Sequence, residues 1–464
     1  MRKATIAALT AATLLVVGGY YGLADALDLV PGALTLSSPA YEVQAFPTTS
    51  GQAVAQPAPA LSAEATVPSA AVLTGYAQAL ATDARVGTGV TGVSIIDVAT
   101  GQALVDYQAS TPLTPASSNK VLTAWAALSA LGAGHRLTTS AILSGTTVTL
   151  VGGGDVLLAA DAGDPEAVVG HAGLGDLARD AAEQLRAKGV TRVSVALDDT
   201  LFDGVTWSPD WEEGNESWVA PIQPLMIDVT AHSHAGGYPV DPAMEAAEAF
   251  ATALAAAGVE VSGSVTRGAA PEGASEIAAV ESAPLSEILA VSLKQSDNTM
   301  TEVEGHLLAL ETGYPASFAG AAQAVRAQLE ADGFDTTGLT LLDASGLARG
   351  NKVPPRLLAQ VIARSAGTDG GTAGRTLLTA LPVAALDGTL DARFWETTAA
   401  GRVRAKTGSL DQSVSLTGTV VTADGRLLAY SVIVDGFAEG GLYPARVALD
   451  QDLIGPLADC GCQG

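Results

Sequence analysis

Apolar positions along this chain come in two spacings. Over 92–98 and 102–107 they crowd into short β-rich runs on either side of Ala99-Thr100-Gly101, the signature of a hairpin. From 120 to 131 the sequence Lys-Val-Leu-Thr-Ala-Trp-Ala-Ala-Leu-Ser-Ala-Leu is apolar nearly all round, which predicts a buried helix. Pro112 and Pro115 break the chain just before it, so the helix is expected to begin near Ser117. A short helix is expected over 72–83. Helical spacing returns over 177–188, stops at Gly189 and gives way to a strand at 190–197. Asp241-Pro242 marks a further helix start, with the acid as N-cap and the proline at the first helical position. Helices are expected over 286–293 and 300–310. Strands follow at 404–410, 414–421 and 427–434, the last two joined through Asp424-Gly425. Strands at both ends thus flank the helices. This is an α+β arrangement in which the two ends share a sheet around an α/β insert.

The N-terminus follows another rule. Arg2 and Lys3 precede a charge-free run over 4–23, long for a signal-peptide core and about the length that spans a bilayer. Ala24-Asp25-Ala26 offers a small-x-small cleavage site. An uncleaved anchor and a cleaved signal both fit residues 1–26, and either puts the body outside the cytoplasm, at the cell envelope. Residues 27–69 carry recurring prolines without periodicity and read as a linker. The expected body is one domain made of 70–140 and 285–459, with a second domain, 141–284, inserted.

A net charge of −26 over 464 residues argues against nucleic acid and against adhesion to anionic lipid. Membrane contact is expected only through the N-terminal segment. The two cysteines, Cys460 and Cys462, provide no disulfide framework, and Cys-Gly-Cys is too tight for an ordinary bridge; an inert tail is the expectation. His232 and His234 lack flanking acids and read as a surface pair, so no metal site is expected. Gly152-Gly153-Gly154-Asp155 lacks a following Lys-Ser/Thr and reads as a turn rather than a phosphate loop.

Lysine and asparagine are scarce, at six and four residues. Against that background three strings stand out: Ser117-Ser118-Asn119-Lys120, Ser296-Asp297-Asn298 and Lys406-Thr407-Gly408. Chance would supply them about 0.4, 0.02 and 0.06 times, so their joint appearance is informative. They contain the parts of a serine acyl-transfer site with lysine as base. Ser117 is the candidate nucleophile. Lys120, one helical turn on, is the candidate base if burial beside Lys406 lowers its pKa. Ser296 would relay a proton from Lys120 to the leaving nitrogen, and Asn298 would orient Lys120 and a substrate amide. Lys406 and Thr407 would hold a terminal carboxylate, and Gly408 would let substrate backbone lie against the strand. The N–H groups of Ser117 and Ser409 are candidate oxyanion donors. Asp297 is expected to brace its loop, and Lys294 to be a surface or structural residue.

This motif triple resembles that of penicillin-binding proteins and serine β-lactamases. More narrowly, the chain resembles the D-alanyl-D-alanine carboxypeptidase/endopeptidase family, the low-molecular-mass class C penicillin-binding proteins. Further matching stretches are Leu197-Asp198-Asp199, Glu302 after the second motif, and Asp343-Ala344-Ser345-Gly346-Leu347 with Asn351. Ala344 stands where the family more often has glycine, which matters only if φ is positive there. The resemblance implies a transpeptidase-type domain, an antiparallel sheet with helices on both faces, and an insert between the first two motifs. It implies hydrolysis of D-Ala-D-Ala or D-Ala-diamino-acid bonds in peptidoglycan stem peptides through an acyl-enzyme at Ser117. It further implies inhibition by β-lactams and no cofactor. A β-lactamase-like hydrolase and a non-catalytic envelope scaffold are the competing readings.

Overall fold

A computed structural model describes residues 17–21, 61–232 and 237–461. The linker to residue 60 and most of the apolar run over 4–23 lie outside them. No helix among the described residues is long and apolar enough to cross a membrane.

Among the described residues thirteen strands occur in chain order: β1 (Val90–Asp97), β2 (Ala103–Tyr107), β3 (Thr138–Ser144), β4 (Thr147–Val151), β5 (Asp155–Leu158), β6 (Arg192–Asp198), β7 (Leu225–Ile227), β8 (Glu260–Val261), β9 (Thr266–Arg267), β10 (Ser275–Glu281), β11 (Val403–Leu410), β12 (Ser413–Val421) and β13 (Leu427–Asp435). The main helices are α1 (Ala70–Thr82), α2 (Lys120–Ala130), α3 (Leu174–Ala187), α4 (Pro242–Ala256), α5 (Leu285–Gln295), α6 (Asn298–Glu311), α7 (Phe318–Ala331), α8 (Pro355–Ala366) and α9 (Gly371–Ala380).

The first sheet runs β11-β12-β13-β1-β2 and is antiparallel throughout. Its two ends of sequence meet where Val90 faces Asp435 and Asp97 faces Leu428, the closure that the sequence pattern predicts. Period-two alternation then sorts β13 between two cores. Leu428, Tyr430, Val432 and Val434 point to one face with α1 and the C-terminal helices, whereas Ala429 and Ile433 point to the other with α2, α5, α8 and α9. Each fully buried Leu, Ile or Val there contributes about 1.5–3 kcal/mol. Arg426 and Asp97 form a buried two-pronged ion pair at the β1/β13 end, both contacts at 2.6 Å. Cys460 packs into the first core and is disulfide-bonded, which corrects the expectation of an inert tail there.

The second sheet takes its strands from Thr138 to Glu281, in the order β10-β3-β4-β6-β8 with β9 on β6. It is mixed: β10, β3 and β4 pair antiparallel, and β4, β6, β8 and β9 pair parallel. Helices α3 and α4 pack on it over an apolar core drawn from Ala141 to Ile277. Helix α3 stops before Gly189 at φ 71°, and Asp241 caps α4 by accepting the N–H of Met244, both as the sequence suggests. A fourth core joins this region to α6 and α7: Phe202, Trp211, Val219 and Ile222 meet Met300, Val303, Leu307 and Phe318. Tryptophan 211 stands edge-on to Phe318 at 4.9 Å.

Candidate active site

Ser117 lies in a 3-10 turn, Ala116–Asn119, immediately before α2 rather than inside it. Ala116 holds φ at 47°, a left-handed conformation that costs an L-residue about 1–2 kcal/mol. That strained residue hands the chain to Ser117. Lys120 opens α2, fully buried, and its ammonium uses all three donors. Nζ donates to Ser117 Oγ at 3.1 Å, to Asn298 Oδ1 at 2.7 Å and to the Ser345 carbonyl at 2.8 Å.

The second motif is a helix junction. Ser296 ends α5 at φ 59°, and Asp297 caps α6 by accepting the N–H of Met300 at 2.8 Å, the bracing role expected of it. Lys294 pairs with Asp387. Asn298 Nδ2 donates to the Trp218 carbonyl at 2.9 Å, so one amide hydrogen is held by the chain itself. Ser296 Oγ accepts from Lys406 Nζ at 2.8 Å, whereas the bonds of Lys120 go to Ser117, Asn298 and Ser345. In this arrangement Ser296 is hydrogen-bonded to the second lysine.

The third motif lies on β11, an edge strand. Lys406 is fully buried, and its Nζ also donates to the Thr407 carbonyl at 2.8 Å. Thr407 Oγ1 bonds Thr389 Oγ1. The outer edge of β11 is covered only at its start: Ala405 N–H donates to Pro382 O, and Val403 O accepts from Ala384 N–H. Strand alternation then turns the N–H groups of Thr407 and Ser409 to the same outer side. Gly408 has a tighter reason than the one expected. A Cβ there would stand 2.2 Å from Ser415 Oγ, 2.6 Å from Pro115 O and 3.0 Å from Ser118 N. Glycine lets the strand touch the turn that bears Ser117, a contact completed by Ser118 Oγ and Ser415 Oγ at 2.7 Å.

Electrostatics distinguish the two lysines. Burial draws Lys120 down to about 8, against the carboxylates of Asp343, Glu302, Asp297 and Glu304. Lys406 is held well below the lysine range, first by burial and then by the charge of Lys120. The sequence leads us to expect burial beside Lys406 to lower the pKa of Lys120; burial is indeed the first cause, and the charge of Lys120 acts on Lys406.

One wall has no counterpart among the three motifs. The segment from Asp343 to Asn351 folds around the Asp343 carboxylate, which accepts from Gly346 N–H, Ala348 N–H, Asn351 Nδ2 and Trp211 Nε1. Gly346, at φ 85°, rests against the Ala116 carbonyl, 2.1 Å from where a Cβ would stand. Ala344 is absent from the positive-φ residues, so alanine replaces the more usual glycine without strain. Trp211 and Trp218 reach the site from the loop rich in tryptophan and proline, which was the signal available in the sequence. The Ser345 and Trp218 carbonyls had none, because backbone acceptors leave no mark on composition.

The sequence profile of the D-Ala-D-Ala carboxypeptidase 3 (S13) family matches residues 73–238 and 237–451, almost the whole described body. The chain belongs to that family. It is a serine-type D-Ala-D-Ala carboxypeptidase. A carboxypeptidase of Mycobacterium tuberculosis is 37% identical over 86% of this chain and 86% of its own length. The D-alanyl-D-alanine carboxypeptidase of Actinomadura sp. strain R39 is 28% identical over 80% of this chain and 81% of its own. Among solved structures, penicillin binding protein 4 (dacB) of Haemophilus influenzae shares the fold. Its TM-score is 0.64 at 20% identity, and the match covers 84% of this chain and 99% of that one. An S13 peptidase works on peptidoglycan, outside the cytoplasm.

Proposed function

We propose that this S13 enzyme cleaves D-Ala-D-Ala or D-Ala-diamino-acid bonds of peptidoglycan stem peptides through an acyl-enzyme at Ser117. The observation that carries the assignment is the 3.1 Å contact between Ser117 Oγ and a fully buried Lys120 with a pKa near 8. A serine hydroxyl needs an adjacent base, and a lysine at that pKa is partly neutral at working pH. In this reading Lys120 takes the proton as Ser117 Oγ attacks the carbonyl carbon of the penultimate D-Ala. The C–N bond breaks, and the proton passes to the leaving amine through Ser296, which Lys406 holds in place. Water then releases the acyl group. Ser117 and Ser409 N–H groups receive the oxyanion, each worth about 3 kcal/mol in barrier lowering. Asn298, Lys406 and Thr407 align the substrate, its terminal carboxylate at Lys406 and Thr407, while Gly408 and Ser409 present an open strand edge. β-Lactams would acylate the same serine.

Residues 70–140 and 285–459 form the peptidase domain in this reading, and 141–284 an inserted domain that walls the cleft through Trp211 and Trp218. Residues 1–26 deliver the body to the envelope, as an anchor or a cleaved signal, with 27–69 as a stalk. Fluorescent penicillin labelling followed by intact mass is the test. Wild type should gain one adduct and Ser117→Ala none; full labelling of the variant would refute the nucleophile.

A further inference from the structure

Glu302 sits one helical turn beyond Asn298 on α6, so both side chains leave the same face. It is fully buried. Oε1 accepts the Ser345 N–H at 2.8 Å, and its two oxygens share the Ala344 N–H at 3.2 Å each. The Ala344 carbonyl is held from the opposite side by Thr123 Oγ1 at 2.7 Å and Asn119 Nδ2 at 3.1 Å, both from the segment that carries Ser117 and Lys120. The peptide groups on both sides of Ala344 are therefore clamped. What the clamp presents is the Ser345 carbonyl, 2.8 Å from Lys120 Nζ.

We infer that Glu302 is a positioning residue for the acylation step: through the Ala344 and Ser345 N–H groups it aims the Ser345 carbonyl at Lys120 Nζ, so that one face of α6 grips the base twice. Asn298 makes the first grip directly, and Glu302 makes the second through the Ser345 backbone, whose carbonyl belongs to the peptide that Asp343 Oδ1 holds at the Gly346 N–H. With two of its three donors fixed, the amine of Lys120 has one direction left, toward Ser117. The inference rests on Lys120 acting as the base.

Charged neighbours of this cluster are few and named. Asp343 lies in the clamped segment, Asp297 and Glu304 are on the same helix cap and helix, Lys120 is on α2, and Lys406, on β11, interacts with the charge of Lys120. All four carboxylates raise the pKa of Lys120 against the effect of burial. Glu302 is itself pushed up to about 8, first by burial and then by Asp343, so its charge develops over the same range as the amine; removing it takes away that charge and the alignment of a carbonyl acceptor, and each loss favours the neutral amine. The midpoint of the rising limb of the pH–rate profile must then move down, while the rate at the plateau falls because the amine is no longer aimed.

The experiment measures β-lactam acylation by stopped-flow on the full chain, normalised to folded protein by circular dichroism. For Glu302→Ala the plateau acylation rate should fall about tenfold or more, with initial β-lactam affinity nearly unchanged. The midpoint should move down by about half a pH unit or more. Glu302→Gln keeps one oxygen for the Ser345 N–H and should recover the plateau to within about threefold. A wild-type plateau and midpoint in Glu302→Ala would overturn the inference. If that variant does not fold, Glu302→Asp decides: its shorter carboxylate should lose the plateau rate, and wild-type acylation would overturn the idea. Ser117→Ala separates the two levels. If it still labels, the nucleophile assignment fails; if it is silent while Glu302 variants react normally, only the positioning role fails.

Discussion

At the residue scale the proposed mechanism turns on how a lysine is made to behave as a base. Lys120 carries a pKa lowered to about 8, chiefly by burial, and Lys406 is likewise held well below the lysine range. The sign for catalysis follows directly. The neutral amine grows as pH rises, so acylation by penicillin should climb through a limb with a midpoint near 8. A rate constant flat between about pH 6 and 9 would remove Lys120 from the base role. The sign for stability is opposite to that of a paired ion. A lysine whose folded pKa is depressed destabilises the fold below that pKa, and the penalty fades as pH rises toward the unfolded value near 10.5. A shift from 10.5 to about 8 corresponds to roughly 3 kcal/mol held against the fold at neutral pH. The three motifs were legible in sequence because lysine and asparagine are rare here and their chemistry is specific. The partners of Ser296 were not, since a hydroxyl between two buried lysines bonds whichever stands nearer, and that distance is a property of packing.

At the element scale the decisive contact is strand against turn. Gly408 allows β11 to touch the 3-10 turn of Ser117 and leaves no room for a methyl group. Gly408→Ala should push the strand from the turn, costing about 1–3 kcal/mol of stability and at least tenfold in acylation rate, read by thermal melting and penicillin labelling. Near-normal labelling would mean that the two elements are not held in register by this contact. Periodicity disclosed α2, α3, α4 and the β12–β13 hairpin, since each has a regular apolar pattern or a strong capping signal. It disclosed neither the left-handed Ala116 and Ser296 nor the 3-10 turn. Those conformations are imposed by neighbours: Gly346 seated against the Ala116 carbonyl, and Asp297 capping the helix that follows Ser296.

At the scale of the whole molecule, two long-range ties matter. Trp211, from the region of the second sheet, donates to Asp343 Oδ2 at 2.9 Å beneath the segment that faces Lys120. Trp211→Phe keeps most of the apolar surface but leaves one oxygen of a buried carboxylate short of a donor. It should lower stability by about 1–3 kcal/mol, and slow acylation with it if the Asp343 segment loosens. Unaltered stability by chemical denaturation would show that the Asp343 carboxylate finds another donor. The other tie is Arg426–Asp97, which locks the first strand to the last. Asp97→Ala leaves a buried guanidinium without its counter-charge, held by the Ala63 and Ala65 carbonyls, and should cost about 3–5 kcal/mol, visible as a large drop in urea midpoint. Penicillin acylation of the fraction still folded should be unaltered, because neither residue contacts the lysines.

The pairing of β1 with β13 also sets the order in which activity becomes possible. Ser117 is synthesised early, but β11 finds its register only on β12, β12 on β13, and β13 on β1. Roughly 300 residues of intervening chain must therefore be collected before nucleophile and second lysine meet, a closure costing about 5 kcal/mol in chain entropy before any contact offsets it. Contacts so distant in sequence make for slow folding. A nascent or partly translocated chain accordingly carries Ser117, the proposed nucleophile, without the strand that brings Lys406 to it. The topology itself delays the hydrolase until its last strands have arrived.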